Sequence, residues 1–384
     1  MKTQNKIYLA FFLGLNLLFA PSPNIKAETE TVKAKIEKDH NIYYLSSSGY
    51  LLKLNLDTVN ESGQITAGLM PWGLTSYGGH IYISDFGSDQ IFDFAPSEKY
   101  LNKVKVADQL GLKEIEIFTS KDKLKAKKKP SIQAAFEKIH KPKIKPAKDE
   151  NQEPLDIAKH NKRLGLSNMA CSDKYLFVIS TLKNKVEVFS RDKLERVSSL
   201  TVGDRPSHIS ISPNGSTIAV SSIGFNKVYL ISANNDNFEL KSEISVQEGP
   251  TEIAWLNENR LFVLNRGADS ISVLDNIGKE SKVLETIKLN APINTMALAT
   301  DKKLIYALNG TEQKLFLINT DNYKFEQKDI NESLKFANLL LPLNNEELLI
   351  GSEPDGKLMI LNLKTFETIK KIQTNLLPKA IISL

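Results

Sequence analysis

The sequence has very few of the residues that support thiol, redox and metal chemistry. Of 384 residues only one is cysteine and five are histidine. A single cysteine cannot form an intramolecular disulfide, so no disulfide framework is expected. An activated thiol needs an electropositive neighbourhood, which no motif around Cys171 supplies. The favoured interpretation of Cys171 is a buried, inert thiol.

Catalytic motifs are also absent from the sequence. The histidines are scattered without metal-ligand spacing, and there is no Gly-x-Ser-x-Gly elbow, phosphate-binding loop or His-Glu-x-x-His helix. Oxygen atoms of Asp85, Asn265 and Asn309 could approach a hard cation, but each residue has a simpler role in a turn. We therefore predict no catalytic residues, no metal site and no cofactor.

One long apolar run is present, at the N-terminus. Lys2 and Lys6 precede the apolar residues 7–20, and a proline-containing stretch ends at Ala27. This pattern is typical of a secretory signal peptide and is too short for a retained membrane span. We predict a signal peptide over residues 1–27 and export to the periplasm or cell surface, with no transmembrane anchor after cleavage.

A segment of about 43 residues recurs seven times along the chain. Its anchor is a turn followed by proline and an alternating apolar strand, and two copies replace the proline with Leu166 or Phe336. The anchoring prolines are Pro71, Pro206, Pro250, Pro292 and Pro378. The copy after Pro250 contains four short apolar runs, at 252–256, 260–264, 270–274 and 283–289. Repeats of this length with four strands predict an all-β, seven-bladed β-propeller of four-stranded antiparallel blades over residues 28–384.

The seventh copy is divided between the two ends of the chain. The sequence after Pro378 supplies only a first strand, whereas the residues after position 40 begin with a second strand, Asn41–Leu45. The C-terminal strand is therefore expected to complete the N-terminal blade. Closing the ring in this way pairs strand edges that would otherwise be exposed.

The repeat resembles a known family. Residues 261–275 look like the repeat of YVTN-type bacterial β-propellers, and residues 202–216 match the linker half of the same repeat. The resemblance covers nearly all of the predicted mature chain, and it implies the propeller fold. Relatives of this type include surface-layer proteins and lactonases, so the resemblance does not select one function.

One polar position is repeated before the third strand in six of the seven copies. It is Asn265 and Asn309 in two copies and is replaced in the others by Asp85, Ser180, Ser222 and Ser352. The simplest interpretation is a turn residue whose side chain satisfies backbone groups of the hairpin.

The gap from Pro71 to Leu166 is 95 residues, which leaves an insertion of about 53 residues beyond one repeat. We place this basic, lysine- and proline-rich insertion at 111–163, as a short helix within disordered chain. Two segments, 103–106 and 114–118, could each serve as the outer strand of the preceding blade, which leaves the start of the insertion open. Residues 121–163 carry fourteen Lys or Arg and six Asp or Glu, on an otherwise acidic body. The residues of this basic arm most available to acidic partners are Lys127, Lys128, Lys129, Lys141, Lys143 and Lys145.

Counting strands assigns the insertion to one face of the ring. Loops that follow a fourth strand share a face with those joining second and third strands, and repeat proteins collect insertions on their binding face. The candidate binding residues of this face are Trp72, Asp85, Phe86, Arg205, Phe225, Asn265, Arg266 and Asn309.

Two functions are compatible with these observations. The first is an exported, non-enzymatic and monomeric propeller that binds a protein or an acidic cell-envelope polymer through this face and the basic arm. The second is a lactonase-like hydrolase acting on a small sugar lactone at the channel mouth. Three or more converging acidic or amide groups would favour the hydrolase, and a channel plugged by Met169, Cys171 and Ile209 would favour the binder. Nucleic acid is not an expected partner, because the body is acidic and the chain is exported.

Overall fold

A computed structural model describes residues 40–97, 100–105, 115–118 and 164–384, apart from positions 235, 276, 278, 279 and 333. The predicted signal peptide, the predicted insertion helix and the six lysines of the basic arm lie outside these residues. Among the described residues, no helix is both long and apolar enough to cross a membrane.

The described chain forms seven antiparallel sheets, which we number as blades 1 to 7. Blade 1 contains β1 (Asn41–Ser46), β2 (Tyr50–Asn55), β3 (Asn60–Thr66) and the C-terminal strand β29 (Pro378–Ser383). Blade 2 contains β4 (Pro71–Tyr77), β5 (His80–Asp85), β6 (Gln90–Ala95), β7 (Tyr100–Lys105) and β8 (Ile115–Phe118). Blade 3 contains β9 (Leu166–Cys171), β10 (Tyr175–Ser180), β11 (Lys185–Ser190) and β12 (Arg196–Thr201).

The other four blades follow one another along the chain. Blade 4 contains β13 (Pro206–Ile211), β14 (Thr217–Ser222), β15 (Lys227–Asn234) and β16 (Asn237–Ser245). Blade 5 contains β17 (Pro250–Asn257), β18 (Arg260–Asn265), β19 (Ser270–Asp275) and β20 (Lys282–Lys288). Blade 6 contains β21 (Thr295–Leu298), β22 (Leu304–Asn309), β23 (Lys314–Asn319) and β24 (Phe325–Asp329). Blade 7 contains β25 (Leu339–Pro342), β26 (Glu347–Ser352), β27 (Lys357–Asn362) and β28 (Thr368–Gln373).

The second strands explain why the blades stack into a ring. In β18, Leu261 and Val263 pack against blade 4, whereas Phe262 and Leu264 pack against blade 6. Successive side chains of a strand point to opposite faces, so a strand between two neighbours must be apolar at every position. One apolar cluster of this kind fills each of the seven gaps between adjacent blades. The predicted seven-bladed β-propeller is confirmed.

The predicted ring closure is also present. Strand β29 pairs antiparallel with β1, with Tyr43 opposite Ile382 and Tyr44 opposite Ile381. Tyr44 is fully buried, and it belongs to the cluster between blades 1 and 7. The two ends of the described chain therefore build one blade together.

Blade 2 differs from the predicted four-stranded pattern by one strand. Both segments that could have formed its outer strand are in the sheet, because β8 pairs antiparallel with β7 and places Ile115 opposite Val104. The sequence analysis had assigned Ile115–Phe118 to the insertion. These four residues instead extend the edge of the blade as a fifth strand.

Candidate functional site

The loops of one face are held together in pairs within each blade. The loop before a first strand hydrogen-bonds to the turn between the second and third strands: the Ile223 amide donates to the Arg205 carbonyl, and the Arg266 amide donates to the Gly249 carbonyl. We call the surface formed by these loops and turns the loop face. The pairing confirms that the two kinds of loop lie on the same side of the ring.

The repeated polar position provides a second connection within this face. The Ser222 hydroxyl donates to the Asp204 carbonyl at 2.5 Å, and Asp85 accepts hydrogen bonds from the amides of Leu69 and Met70. Asn309 Oδ1 instead accepts from two amides of its own turn, those of Thr311 and Glu312. The predicted role in satisfying turn groups is therefore confirmed for Asn309.

Three of the eight candidate binding residues consequently lie beneath the face rather than on it. Asp85, Asn265 and Asn309 are fully buried, and Asn265 donates to the hydroxyl of Ser272 at 2.9 Å. Asp85 bonds the loop before its first strand, Asn309 bonds its own turn, and Asn265 bonds hydroxyls of β19, so each side chain is used inside its own blade. They also come from three different blades, and no cluster of metal-ligating side chains is present among the described residues.

The centre of the loop face opens into a cavity of about 760 Å³. Its walls are the start of each first strand together with the adjoining loops. Four of the candidate binding residues line it: Trp72, Phe86, Arg205 and Arg266. Phe225 does not belong to this lining but projects from the loop face with 58% of its surface exposed.

Three charged or titratable residues of the cavity were not predicted from the sequence: His208, Glu252 and Lys379. They follow Pro206, Pro250 and Pro378 by one or two positions. The first strand lines the channel, so polar residues directly after the repeated proline point to the cavity. That position was the available signal in the sequence.

His208 is held deep in the channel as a neutral imidazole. Burial lowers its pKa to about 4, and its Nδ1 accepts a hydrogen bond from the Ile253 amide at 3.3 Å. A neutral imidazole with an accepting Nδ1 carries its proton on Nε2. The residue therefore offers one N–H donor.

Glu252 occupies the same position in β17 as His208 does in β13, two residues after the repeated proline. Burial raises the pKa of its carboxyl, while the hydrogen bond from the Met296 amide and the positive charge of Arg266 act in the opposite direction. Its Oε2 accepts from the Met296 amide at 2.5 Å and from the Thr295 hydroxyl at 3.2 Å. These bonds join blades 5 and 6 at the channel wall.

Lys379 extends from β29 over an aromatic ring. Its Nζ lies 4.0 Å from the ring centroid of Trp72, within the range of a cation–π contact. Burial lowers the pKa of this amine, and the negative charges of Glu353 and Asp85 raise it. Trp72 also contacts Phe86, with ring centroids 5.8 Å apart. One side of the cavity thus combines an aromatic wall with a cation.

The channel is not plugged by the apolar side chains of Met169, Cys171 and Ile209. Met169 and Ile209 are buried in the clusters between blades, not in the cavity. Cys171 packs against the same cluster as Met169, and burial raises its thiol pKa to about 12. This environment fits the predicted inert thiol.

About half of the large apolar side chains exposed among the described residues lie on the loop face. Seven large apolar residues of its loops and first strands are at least 41% exposed: Leu69, Met70, Trp72, Leu182, Phe225, Phe336 and Leu377. Eight others lie on the opposite face or on the outer strands: Val59, Tyr77, Val197, Leu240, Leu284, Phe325, Ile369 and Leu384. The loop-face group differs from the others in that one of its members, Trp72, lines the central cavity. Apolar side chains grouped around a concave site are typical of an interaction site.

Comparison with known proteins identifies similarity in fold. No family model matches the sequence, and no curated protein matches it. A functionally unknown protein from Desulfotomaculum acetoxidans has a TM-score of 0.61 and 15% identity, covering 89% of this chain and 98% of its own. A 6-phosphogluconolactonase-like protein from Bacteroides fragilis has a TM-score of 0.60 and 11% identity, covering 91% and 99%. Virginiamycin B lyase from Staphylococcus aureus has a TM-score of 0.54 and 12% identity, covering 80% and 85%.

These similarities support a β-propeller shared with lactonase-like and lyase proteins. At such low identity they concern the fold alone, since one fold hosts many functions. The more specific resemblance to the YVTN-type repeat stays a prediction.

Proposed function

We propose that the protein is an exported, non-enzymatic propeller that binds a protein partner through its loop face. The observation that carries the proposal is the set of seven exposed apolar side chains around the cavity on this face. Aromatic and aliphatic groups that become buried dominate the energy of protein interfaces. An acidic envelope polymer alone would leave most of this apolar surface uncovered.

The basic arm is proposed to assist docking. The fifth strand β8 runs antiparallel to β7 and so ends at the opposite face, whereas Leu164, directly after the arm, bonds the Leu182 amide in the loop face. The C-terminal end of the arm therefore adjoins the loop face, and its positive charge would attract an acidic partner. Export is proposed from the N-terminal apolar segment, which would bring the loop face into contact with envelope or extracellular proteins.

The alternative, a lactonase-like hydrolase, has weaker support. Three acidic or amide side chains do line the cavity, namely Asn168, Glu252 and Asn338. Each is already engaged by the protein: the Asn168 amide donates to the Ser207 carbonyl, and Asn338 accepts from the Glu353 amide. A hydrolase would need such groups free to act on substrate and water.

The docking function is tested by crosslinking capture from native envelope extract. The test variant replaces Phe225 and Phe336 with serine, and its matched control replaces Val197 and Leu284, exposed on the outer strands β12 and β20. We expect one partner to be captured by the native protein and the control but not by the test variant. Removing residues 121–163 should weaken capture in a salt-dependent manner.

Equal capture by the test variant and the control would contradict docking at the loop face. Hydrolysis of sugar lactones by the purified protein, abolished in Glu252→Gln, would instead establish the alternative. Thermal unfolding of all variants ensures that lost capture does not reflect lost folding.

A further inference from the structure

We propose that the cavity at the centre of the loop face is a binding site for a carboxylate-bearing organic ligand. Its lining carries three basic side chains, Arg205, Arg266 and Lys379, and one carboxylate, Glu252. Arg205 also pairs with Asp204 at 3.3 Å, which leaves Arg266 and Lys379 against Glu252. A concave site with this balance of charge concentrates anions. The proposal rests on the cavity alone and does not depend on docking of a protein partner.

Two acceptor side chains of the cavity, Glu252 and Asn338, already accept hydrogen bonds from the protein. Glu252 Oε2 receives two hydrogen bonds, from the Met296 amide and the Thr295 hydroxyl. Asn338 Oδ1 receives one from the Glu353 amide at 3.2 Å. These groups hold adjacent strands and loops together, so they offer little to an incoming hydrogen-bond donor.

The donor groups, in contrast, are available to a ligand. His208 presents its Nε2–H, for which the described residues provide no hydrogen-bonded acceptor. The Lys379 ammonium contacts the face of Trp72, a weak partner that leaves its three donors unsaturated. Glu353 and Asp85 attract Lys379 electrostatically. The carboxylate oxygens of Asp85 already accept backbone amides, and Glu353 lies outside the cavity lining.

Donors that come from different blades converge on one space. His208 lies on β13 of blade 4, Arg266 follows β18 of blade 5, and Lys379 lies on β29 of blade 1. A carboxylate has two oxygens with about four lone-pair sites and accepts several such donors at once. Charge-assisted hydrogen bonds of this kind are stronger than neutral ones.

The aromatic side of the cavity defines the rest of the ligand. Trp72 and Phe86 form a tilted pair at the mouth, next to the Lys379 ammonium. A bare inorganic anion would not use this wall, whereas an organic acid can place its carbon skeleton against the rings. Two sources supply such a group: an acidic side chain of a peptide and a free small acid.

The cavity contains its own fluorescent reporter. The chain has two tryptophans, and Trp255 is buried between blades 4 and 5 with 6% of its surface exposed. In a Trp255→Phe background, emission therefore reports on Trp72 alone. A carboxylate that draws Lys379 away from the ring should change this emission in a saturable way.

The experiment titrates this variant with glutarate and with its uncharged counterpart glutaramide. A short acetylated glutamate peptide and its glutamine counterpart form the second pair of probes. We expect the acids but not the amides to bind, and affinity to fall about ten-fold or more in Lys379→Met and in Arg266→Gln. The control Lys193→Met removes an exposed positive charge from the opposite face, and it should bind as the parent does.

Tighter binding of the peptide than of glutarate would assign the site to a protein ligand, and equal binding would assign it to small acids; both support the proposal. Equal response to acid and amide would overturn it. So would an equal loss in Lys193→Met, or no saturable response from a variant that unfolds at the parental temperature. Failure here would leave loop-face capture unaffected, so the two proposals fail separately.

Discussion

The two faces of the ring are built from similar short turns but differ in what those turns leave exposed. On the face opposite the loop face, three turns between third and fourth strands are closed by an asparagine: Asn55, Asn319 and Asn362 each accept hydrogen bonds from two following amides. Such turns satisfy their own polar groups and present mostly polar side chains. The loop face is equally well hydrogen-bonded internally but adds exposed apolar residues and a donor-rich cavity.

The comparison separates what the fold requires from what it does not. Turns of both faces must reverse the chain, and the Asn309 and Asn319 turns do so with the same side-chain chemistry. Nothing in strand reversal requires Phe225 or Phe336 to project into solvent. The surplus on the loop face is therefore better explained by binding than by folding.

The largest expected effect comes from deleting the C-terminal strand that closes the ring, since both faces depend on a closed ring. Deleting residues 376–384 removes β29, leaving β1 unpaired and opening the apolar cluster between blades 1 and 7. We expect loss of cooperative thermal unfolding, measured by calorimetry and circular dichroism. An unchanged thermal midpoint would show that ring closure is not needed for stability.

A smaller expected effect is the difference in stability lost when a buried or an exposed phenylalanine is replaced by alanine. Phe262 is fully buried between blades 5 and 6, so Phe262→Ala should cost about 3–5 kcal/mol of unfolding free energy. Phe225→Ala, on the loop face, should change stability by no more than about 0.5 kcal/mol. Urea unfolding measures both. A comparable cost for the two variants would mean that Phe225 supports the fold and does not belong to a binding surface.

The smallest expected effect concerns acid stability of the cavity. The pKa of His208 is lowered from its ordinary value of 6.5 to about 4 in the folded protein. The unfolded chain therefore binds a proton first as pH falls, and the stabilising contribution, complete above about pH 6.5, is lost as pH approaches 4. Native protein should lose about 2–3 kcal/mol more stability than His208→Asn between these limits.

The raised pKa of Glu252 acts in the opposite direction, because it favours proton uptake by the folded state as pH falls. Both proteins in the comparison retain Glu252, so the difference between their urea unfolding curves isolates His208. Identical pH dependence in the two proteins would place His208 in a solvated position and weaken the assignment of a neutral donor to the cavity.

The sequence predicted the fold well because the fold follows from local patterns of apolar residues that repeat along the chain. Apolar runs such as Leu261–Leu264 are two-sided strands, and their recurrence at a fixed period fixes the number of blades. The split repeat at 41–45 and 378–384 likewise predicted the closure. The fifth strand of blade 2 was harder to predict, because both Tyr100–Lys105 and Ile115–Phe118 resemble an outer strand. Only the strand pairing shows that the blade contains both.

The candidate site was predicted only in part. Trp72, Phe86, Arg205 and Arg266 do line the cavity, whereas Asp85, Asn265 and Asn309 are buried beneath it. The two groups share the same loops, and a repeat pattern does not distinguish a side chain that bonds its own backbone from one that faces a ligand. His208, Glu252 and Lys379 were not predicted, because the cavity that they line forms only when residues of several blades come together.

The sequence by itself determined the seven blades, their strand order, the closure of the ring and the side to which the loops belong. These features follow from periodicity and strand alternation, which are local properties of the chain. Only the tertiary structure decided which polar groups are used within the protein and which remain available in the cavity. That distinction requires the ring to close, because the channel brings together side chains from strands that are more than a hundred residues apart, such as His208 and Lys379.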